Sequence, residues 1–490
     1  MRTRSLMITS NKYKSIGMRS NVKRFLFFCV ALWSISGSLF GQKPKPNVLL
    51  IAIDDLNDYV GLLQNFPGLK TPNLDRFAKT ALNFTRAYCA APVCNPSRAA
   101  LLSGVPPYRT GVYDNDNRIQ DSKVILNATF LPEHFKANGY TTLTRGKIFH
   151  TMPDKARYEA MWDENGGQGD YGPYPTERNV PTTVRAPLNF NYQPWTGPES
   201  DHPDNVTAEL TIERLNKNYD KPFFMACGLY KPHNPWTAPR RFFDMYPLEN
   251  IVLPKVLESD WDDLPPIAKK WASNPVDFEA LKQSGQWKSV VRSYLACISF
   301  MDWNFGRIID ALDKSKYKNN TIICVFADNG FHLGEKNHFA KYALWEQTTH
   351  ILHLWRVPGI TKAGKICERP VNLLDIFPTL VELCRLSSPK QQLEGRSIVE
   401  LLKNPAITWD HPSITTYLEG NQSLRTEKYR YTLYKDGGEE LYDDSADPRE
   451  WHNLAADPRM KDLILSLRKK ISKEFAATVS GNNKKGESVE

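Results

Sequence analysis

The sequence contains no Cys-x-x-Cys pair, no internal repeat, and no apolar run long enough to span a membrane comfortably. The first absence excludes thiol-paired zinc sites and thioredoxin-like redox chemistry. The second excludes solenoids and propellers. The third argues against stable membrane insertion. Charge of one sign is also scarce once its location is considered. Of 63 Lys and Arg residues, seven fall in positions 1–24, where there is no acid, and residues 25–41 carry no charge. The rest of the chain has a formal charge of only +2, so a nucleic-acid partner is not indicated. Glycine (27) is less frequent than proline (34), while 41% of the 490 residues are hydrophobic and 24% charged. That composition excludes collagen-like and bulk-disordered chains and predicts many ordered loops.

The basic start, the short apolar core Phe25–Trp33 and the small residues Ser34 to Gly41 read as a secretory signal peptide over residues 1–41. A retained membrane anchor is the alternative. No Cys closes the apolar core, which argues against a lipoprotein. The implied location is the periplasm of a Gram-negative bacterium, or otherwise a secreted or lysosomal compartment. Eight cysteines are present, and Cys29 leaves with the leader. Seven is an odd number, so at least one thiol lies outside any internal disulfide.

Four β-prone runs share one design. Val48–Ile53 ends in Asp54-Asp55; Tyr140–Thr144 is followed by Lys147 and His150; Phe223–Leu229 by His233; Ile322–Ala327 by Asp328-Asn329-Gly330. Continuous apolar runs predict buried parallel strands. Helical stretches at 72–81, 131–138, 205–216 and 289–313 alternate with them, so an α/β layered domain with a large, mainly parallel central sheet is expected over residues 42–385. Ligands bind at the carboxyl ends of such strands, where all four runs place ionisable side chains. Residues 151–205, rich in Gly, Pro and Tyr, predict a long structured loop near that edge. From 386 to 478 a smaller α+β subdomain is expected, with antiparallel strands at 414–418, 429–434 and 440–442 and a helix at 460–475. Residues 479–490 read as a disordered tail.

The segment Pro92-Val-Cys94-Asn-Pro96-Ser97-Arg98 places Cys94 at a predicted helix N-terminus, where the dipole favours anions and lowers a thiol pKa. Asp54, Asp55, Asp328 and Asn329 supply oxygen donors suited to a hard divalent cation, Ca²⁺ ahead of Mg²⁺ or Zn²⁺. Taken singly, Asp54-Asp55 could cap a helix and Asp328-Asn-Gly could form a turn.

Cys-x-Pro-Ser-Arg resembles the signature of the formylglycine-dependent type I sulfatases, of alkaline-phosphatase-like fold. So do Pro46–Asp55, Thr71–Ala78 and Arg109–Val112. Leu131–Tyr140 with Gly146–His150, and Asp328–Glu335 with Phe339–Tyr342, are similar to the iduronate-2-sulfatase branch, although Asn329 stands where that branch commonly has His. The resemblance implies that a maturation enzyme oxidises Cys94 to formylglycine, whose hydrate attacks sulfur next to one Ca²⁺. It assigns Arg98 to orienting that group, and Lys147, Lys341 and His233 to clamping sulfate. His233, with Lys341 as rival, would be the general acid, and His150 would take the proton that regenerates the aldehyde. The implied substrate is a sulfated oligosaccharide or polysaccharide with 2-O-sulfated uronic acid, in a glycosaminoglycan or in ulvan. A phosphomonoester or phosphonate hydrolase of the same superfamily, and a non-catalytic carbohydrate-binding relative, are the alternatives.

Overall fold

Aliphatic runs with no polar interruption have no solvent face, so they form the middle of a sheet. In the computed structural model, which describes residues 7, 9, 10, 44–63, 66–172, 174, 175 and 177–481, eight strands form the central sheet. They are β1 (Asn47–Ile53), β2 (Leu82–Phe84), β3 (Thr141–Gly146), β4 (Glu164–Asn165), β5 (Phe223–Leu229), β6 (Thr321–Ala327), β7 (His353–Arg356) and β8 (Ile366–Cys367). Their spatial order is β8-β2-β7-β6-β1-β5-β3-β4. Only β7 runs against the others. The four expected strands are the four adjacent central ones, and every residue of β1, β5 and β6 is buried. Each buried Val, Leu or Ile there contributes roughly 1.5–3 kcal/mol relative to exposure. The signal peptide expected over 1–41 lies outside the described residues, apart from positions 7, 9 and 10.

Register carries these strands to a common edge. Ile53 pairs with Ala327 on one side and Leu229 on the other, and Gly146 pairs with Gly228. The residues that follow, Asp54, Asp328, Tyr230 and Lys147, therefore emerge side by side.

Helix α1 (Cys94–Ser103) begins at this edge, and α2 (Pro203–Leu215) and α3 (Trp287–Lys314) flank the sheet. From α3, the Tyr294 hydroxyl donates to the Asp55 carbonyl (2.7 Å) and accepts from the Asn57 N–H (3.1 Å), which fixes the loop after β1. No helix among the described residues is long and apolar enough to cross a membrane.

A second, antiparallel sheet follows in chain order: β9 (Ser413–Thr416), β10 (Gln422–Arg425), β11 (Tyr429–Leu433) and β12 (Glu439–Asp443). Strand β10 was not expected, because Gln-Ser-Leu-Arg has no apolar alternation. Helix α4 (Lys461–Arg468) buries Ile464 and Leu467 against Leu424, Tyr431 and Leu441. It stops short of the expected 475. Beyond it the Ser472 N–H is taken by the Gln422 side chain (2.9 Å), so the chain is tied to β10 instead of continuing its helical bonds. Residues 479–481, assigned above to a tail, are held too. The Val479 N–H donates to the Gly111 carbonyl, and the Ser480 carbonyl accepts from the Arg118 N–H.

Candidate active site

Ten residues singled out in the sequence meet at the carboxyl edge. Asp54 and Asp55 leave β1, and Asp328 and Asn329 leave β6; all four are buried. Arg98, one turn into α1, donates from Nη2 to Asp54 (3.2 Å), from Nε to Asp328 (2.6 Å) and from Nη1 to the Lys147 carbonyl. Lys147 donates to the second oxygen of Asp54 (2.7 Å), and Lys341 to both oxygens of Asp55 (2.9 and 3.0 Å). Three carboxylates thus meet three cations in a water-poor pocket. The backbone is strained to achieve this: Asp55 has φ +57°, and Ala340 and Tyr342, on either side of Lys341, have φ +122° and +77°. Such conformations cost on the order of 1–3 kcal/mol each and cluster at functional sites.

Cys94 opens α1, as expected. Its Sγ lies 2.9 Å from Lys341 Nζ and 3.5 Å from Asp55 Oδ1. The expected drop in thiol pKa does not occur. Burial, with Asp54 beside it, pushes Cys94 well above the usual thiol value, against Lys147 and Lys341. An unmodified thiol here stays protonated at neutral pH and is a poor nucleophile.

Burial opposes the charge on Lys147 and Lys341, yet Asp54 for the first and Asp55 for the second outweigh it, and both pKa values lie well above the ordinary one. Burial would also raise Asp54, but Lys147, His233 and Arg98 hold it well below the usual range. Asp328 rises to about 7 through burial despite Arg98.

His233 approaches Asp55 through Nε2 (3.7 Å), and its Nδ1 faces the Asn234 carbonyl. Burial takes its pKa down to about 3, with Asp55 and Asp54 opposing. The proton that an acid role at 233 requires is opposed by this burial. His150 is lowered strongly as well, by burial and then by the Lys147 and Lys341 charges.

Sequence reasoning missed Tyr171, which comes from the long loop. Its ring lies 4.6 Å from the His233 ring, and Lys147 Nζ lies 4.8 Å above it. The buried Lys231 ammonium ties this loop down by donating to the carbonyls of Tyr171 (3.0 Å) and Pro235 (2.6 Å). The Gly-rich, Tyr-rich composition of 166–175 was the available signal. The seven cysteines among the described residues are buried, and none of them is in a disulfide.

Two glycines make the Lys147 position possible. Gly146 has φ +79°, and a Cβ there would lie 1.9 Å from the Gly228 carbonyl; a Cβ at Gly228 would lie 2.1 Å from the Lys147 carbonyl. Gly228→Ala is expected to lose about 1–3 kcal/mol of stability. It should also lower kcat on the order of 10²-fold if Lys147 moves by 1 Å. Thermal unfolding with kcat measurement checks this, and wild-type values for both would refute it.

One carboxylate oxygen each from Asp54, Asp55 and Asp328 lies within 4.8 Å of the others. Asn329 Oδ1 is buried and accepts no hydrogen bond, while its amide nitrogen donates to Asp55 (2.8 Å). A buried acceptor left open beside three carboxylates fits a hard divalent cation. Asp54, Cys94 and His233 form an overlapping set within the same distance, which spacing in the chain did not reveal.

A family model described as Sulfatase matches residues 46–386, and one described as N-sulphoglucosamine sulphohydrolase, C-terminal, matches residues 334–477. A sulfatase of Formosa agariphila is 40% identical over 456 residues, covering 90% of this chain and 89% of the relative. Iduronate 2-sulfatase of Homo sapiens is 29% identical over 517 residues, covering 86% and 93%. The phosphonate monoester hydrolase of Agrobacterium radiobacter shares the fold, with a TM-score of 0.72 at 20% identity over 87% of this chain and 94% of that one.

Proposed function

Because the chain belongs to the sulfatase family and is a sulfuric ester hydrolase, we propose that it is exported and removes sulfate from a glycan containing 2-O-sulfated uronic acid, such as a glycosaminoglycan fragment or ulvan. In this reading a maturation enzyme converts Cys94 to formylglycine, and Asp54, Asp55, Asp328 and Asn329 hold one Ca²⁺. The observation that carries the chemistry is the contact of Lys341 with both Cys94 and Asp55 above a buried carboxylate cluster. The uronate is supported by the likeness to iduronate 2-sulfatase, and export by the basic and apolar leader.

The bound ion would supply positive charge to sulfate oxygens and lower the pKa of a hydroxyl at position 94. The residues do the rest. Arg98 bridges Asp54 and Asp328, so the carboxylates are placed before substrate arrives. Lys147 and Lys341 present preorganised ammonium donors to the non-bridging oxygens. Lys341 touches position 94 (2.9 Å) and His233 Nε2 lies 3.7 Å from Asp55, so both stand where a proton donor to the leaving oxygen is needed, with Lys341 in direct contact. His150, which feels the Lys147 and Lys341 charges, is assigned the proton released when sulfate departs.

Three cations balance three carboxylates, so a divalent ion leaves a net +2 that suits an anionic ester. Charge alone would serve a phosphate ester as well. The test is sulfate release from a panel of defined sulfated sugars, with paired sulfate and phosphate esters of one alcohol. A higher kcat/KM on the sulfate ester, and release from 2-O-sulfated uronates, are expected. Faster phosphate turnover would transfer the assignment to a phosphohydrolase.

A further inference from the structure

A cavity of about 460 Å³ is lined by residues that neighbour the site in the chain or are hydrogen-bonded to it. It is joined to the site at two points. Tyr342 in its wall follows Lys341, and Asn115 in its wall accepts from the backbone N–H of Asn95, the neighbour of Cys94 (2.9 Å). A third link runs through His338, whose ring lies between the carbonyls of Ala272 and Lys341 (2.9 and 2.8 Å). It couples the wall residue Trp271, adjacent to Ala272, to the catalytic lysine's backbone.

The lining has two characters. Trp271 and Tyr417 pack edge to face, with centroids 4.7 Å apart, and Trp271 also meets Tyr434 at 5.4 Å. These rings are locked, so they offer apolar surface at little entropic cost. Asp114 and Asp116 supply carboxylate acceptors, and Asp114 Oδ1 is steadied by the Asn115 N–H (2.8 Å). Acceptors beside rigid aromatic surface suit a ring with an apolar face and hydroxyl groups, which is a sugar.

Two cations also line the cavity, and they differ. The Arg185 guanidinium is committed to Asn274 Oδ1 (2.8 Å) and to the carbonyls of Ser273 (2.6 Å) and Pro275 (3.1 Å), where it braces a turn. Lys270 is exposed, and its ammonium has no ion-pair or hydrogen-bond partner among the described residues. A buried sugar hydroxyl would not call for that free charge; a carboxylate would.

We infer that this cavity holds the saccharide ring of the substrate and that Lys270 pairs with a uronate carboxylate on it. The inference rests on the sulfatase reading above and adds the residues that select the sugar. Asp114 and Asp116 take the hydroxyls, which also disfavours a second anionic group at their positions.

The experiment compares wild type, Lys270→Ala and Lys270→Arg, all with mature position 94, on three substrates: a 2-O-sulfated uronate disaccharide, its carboxyl-reduced counterpart, and 4-nitrophenyl sulfate. Lys270→Ala is expected to lower kcat/KM about tenfold on the uronate, mainly through KM. It should leave the carboxyl-reduced sugar and the aryl sulfate unchanged, and Lys270→Arg should recover most of the loss. Equal effects on the uronate and its reduced form, or none on either, overturn the inference while the sulfatase reading stands. Wild-type release of sulfate from the aryl ester but from no saccharide overturns both the inference and the glycan reading.

Discussion

Cys94→Ala is expected to bind a sulfate ester and leave it intact, with kcat lower by on the order of 10⁴-fold or more, the scale seen when a nucleophile is removed. The fold should be unaffected, because the side chain is small and its thiol makes two polar contacts among the described residues, with Lys341 (2.9 Å) and Asp55 (3.5 Å). Cys94→Ser separates attack from release. A serine hydroxyl in the same place can attack sulfur once, but the resulting ester has no second hydroxyl to expel sulfate, so it should stall after at most one turnover. Intact-protein mass spectrometry of Cys94→Ser after substrate should show the sulfate adduct. The active enzyme itself should carry an aldehyde at 94, with sulfur replaced by oxygen. Sustained turnover by the serine variant, or full activity with an unmodified thiol, would remove the formylglycine mechanism. The raised thiol pKa makes the second outcome physically unfavourable.

Asp54→Ala should abolish turnover and also weaken the protein. From sequence alone a metal ligand at the end of a strand looks dispensable to the fold. The structure corrects that expectation. Asp54 is fully buried and neutralises Arg98 (3.2 Å) and Lys147 (2.7 Å). Its loss leaves two buried cations short of a partner, a change that costs on the order of 3–5 kcal/mol. The isosteric Asp54→Asn keeps the volume and one acceptor while removing the charge, so it tests the ion separately. Calorimetric titration with Ca²⁺ should show binding to the mature wild type and a loss of at least ~100-fold in affinity for Asp54→Asn. If turnover survives both chelation and Asp54→Ala, the metal assignment is wrong.

Central strands β1, β5 and β6 were legible in the sequence because burial on both faces leaves an unbroken apolar run, whereas β3 was legible from its β-prone threonines. Strands β2, β7 and β8 were not legible. They are two to four residues long, and pairing with neighbours distant in the chain, rather than composition, makes them strands. Polar β10 escaped for another reason: it pairs with strands next to it in the chain, but Gln-Ser-Leu-Arg carries no apolar alternation.

The sequence by itself determined the α/β class, the edge at which the chemistry gathers, and the residue types at that edge, since each strand carries its terminal Asp, Lys or His in a local motif. Only the tertiary structure decided how these groups act on one another. Lys341 reaches Asp55 across 286 positions, Arg98 reaches Asp328 across 230, and Tyr171 arrives from a loop with no strand of its own at the site. The direction of the Cys94 pKa, the burial that lowers the His233 pKa and the placement of Lys270 beside an aromatic wall followed from those contacts. The physical reason is one of range. Hydrophobic periodicity and helix-start chemistry act over a few residues and can be read locally. Burial and Coulomb interaction depend on which distant segments become neighbours, and that is fixed only when the strands take their order in the sheet.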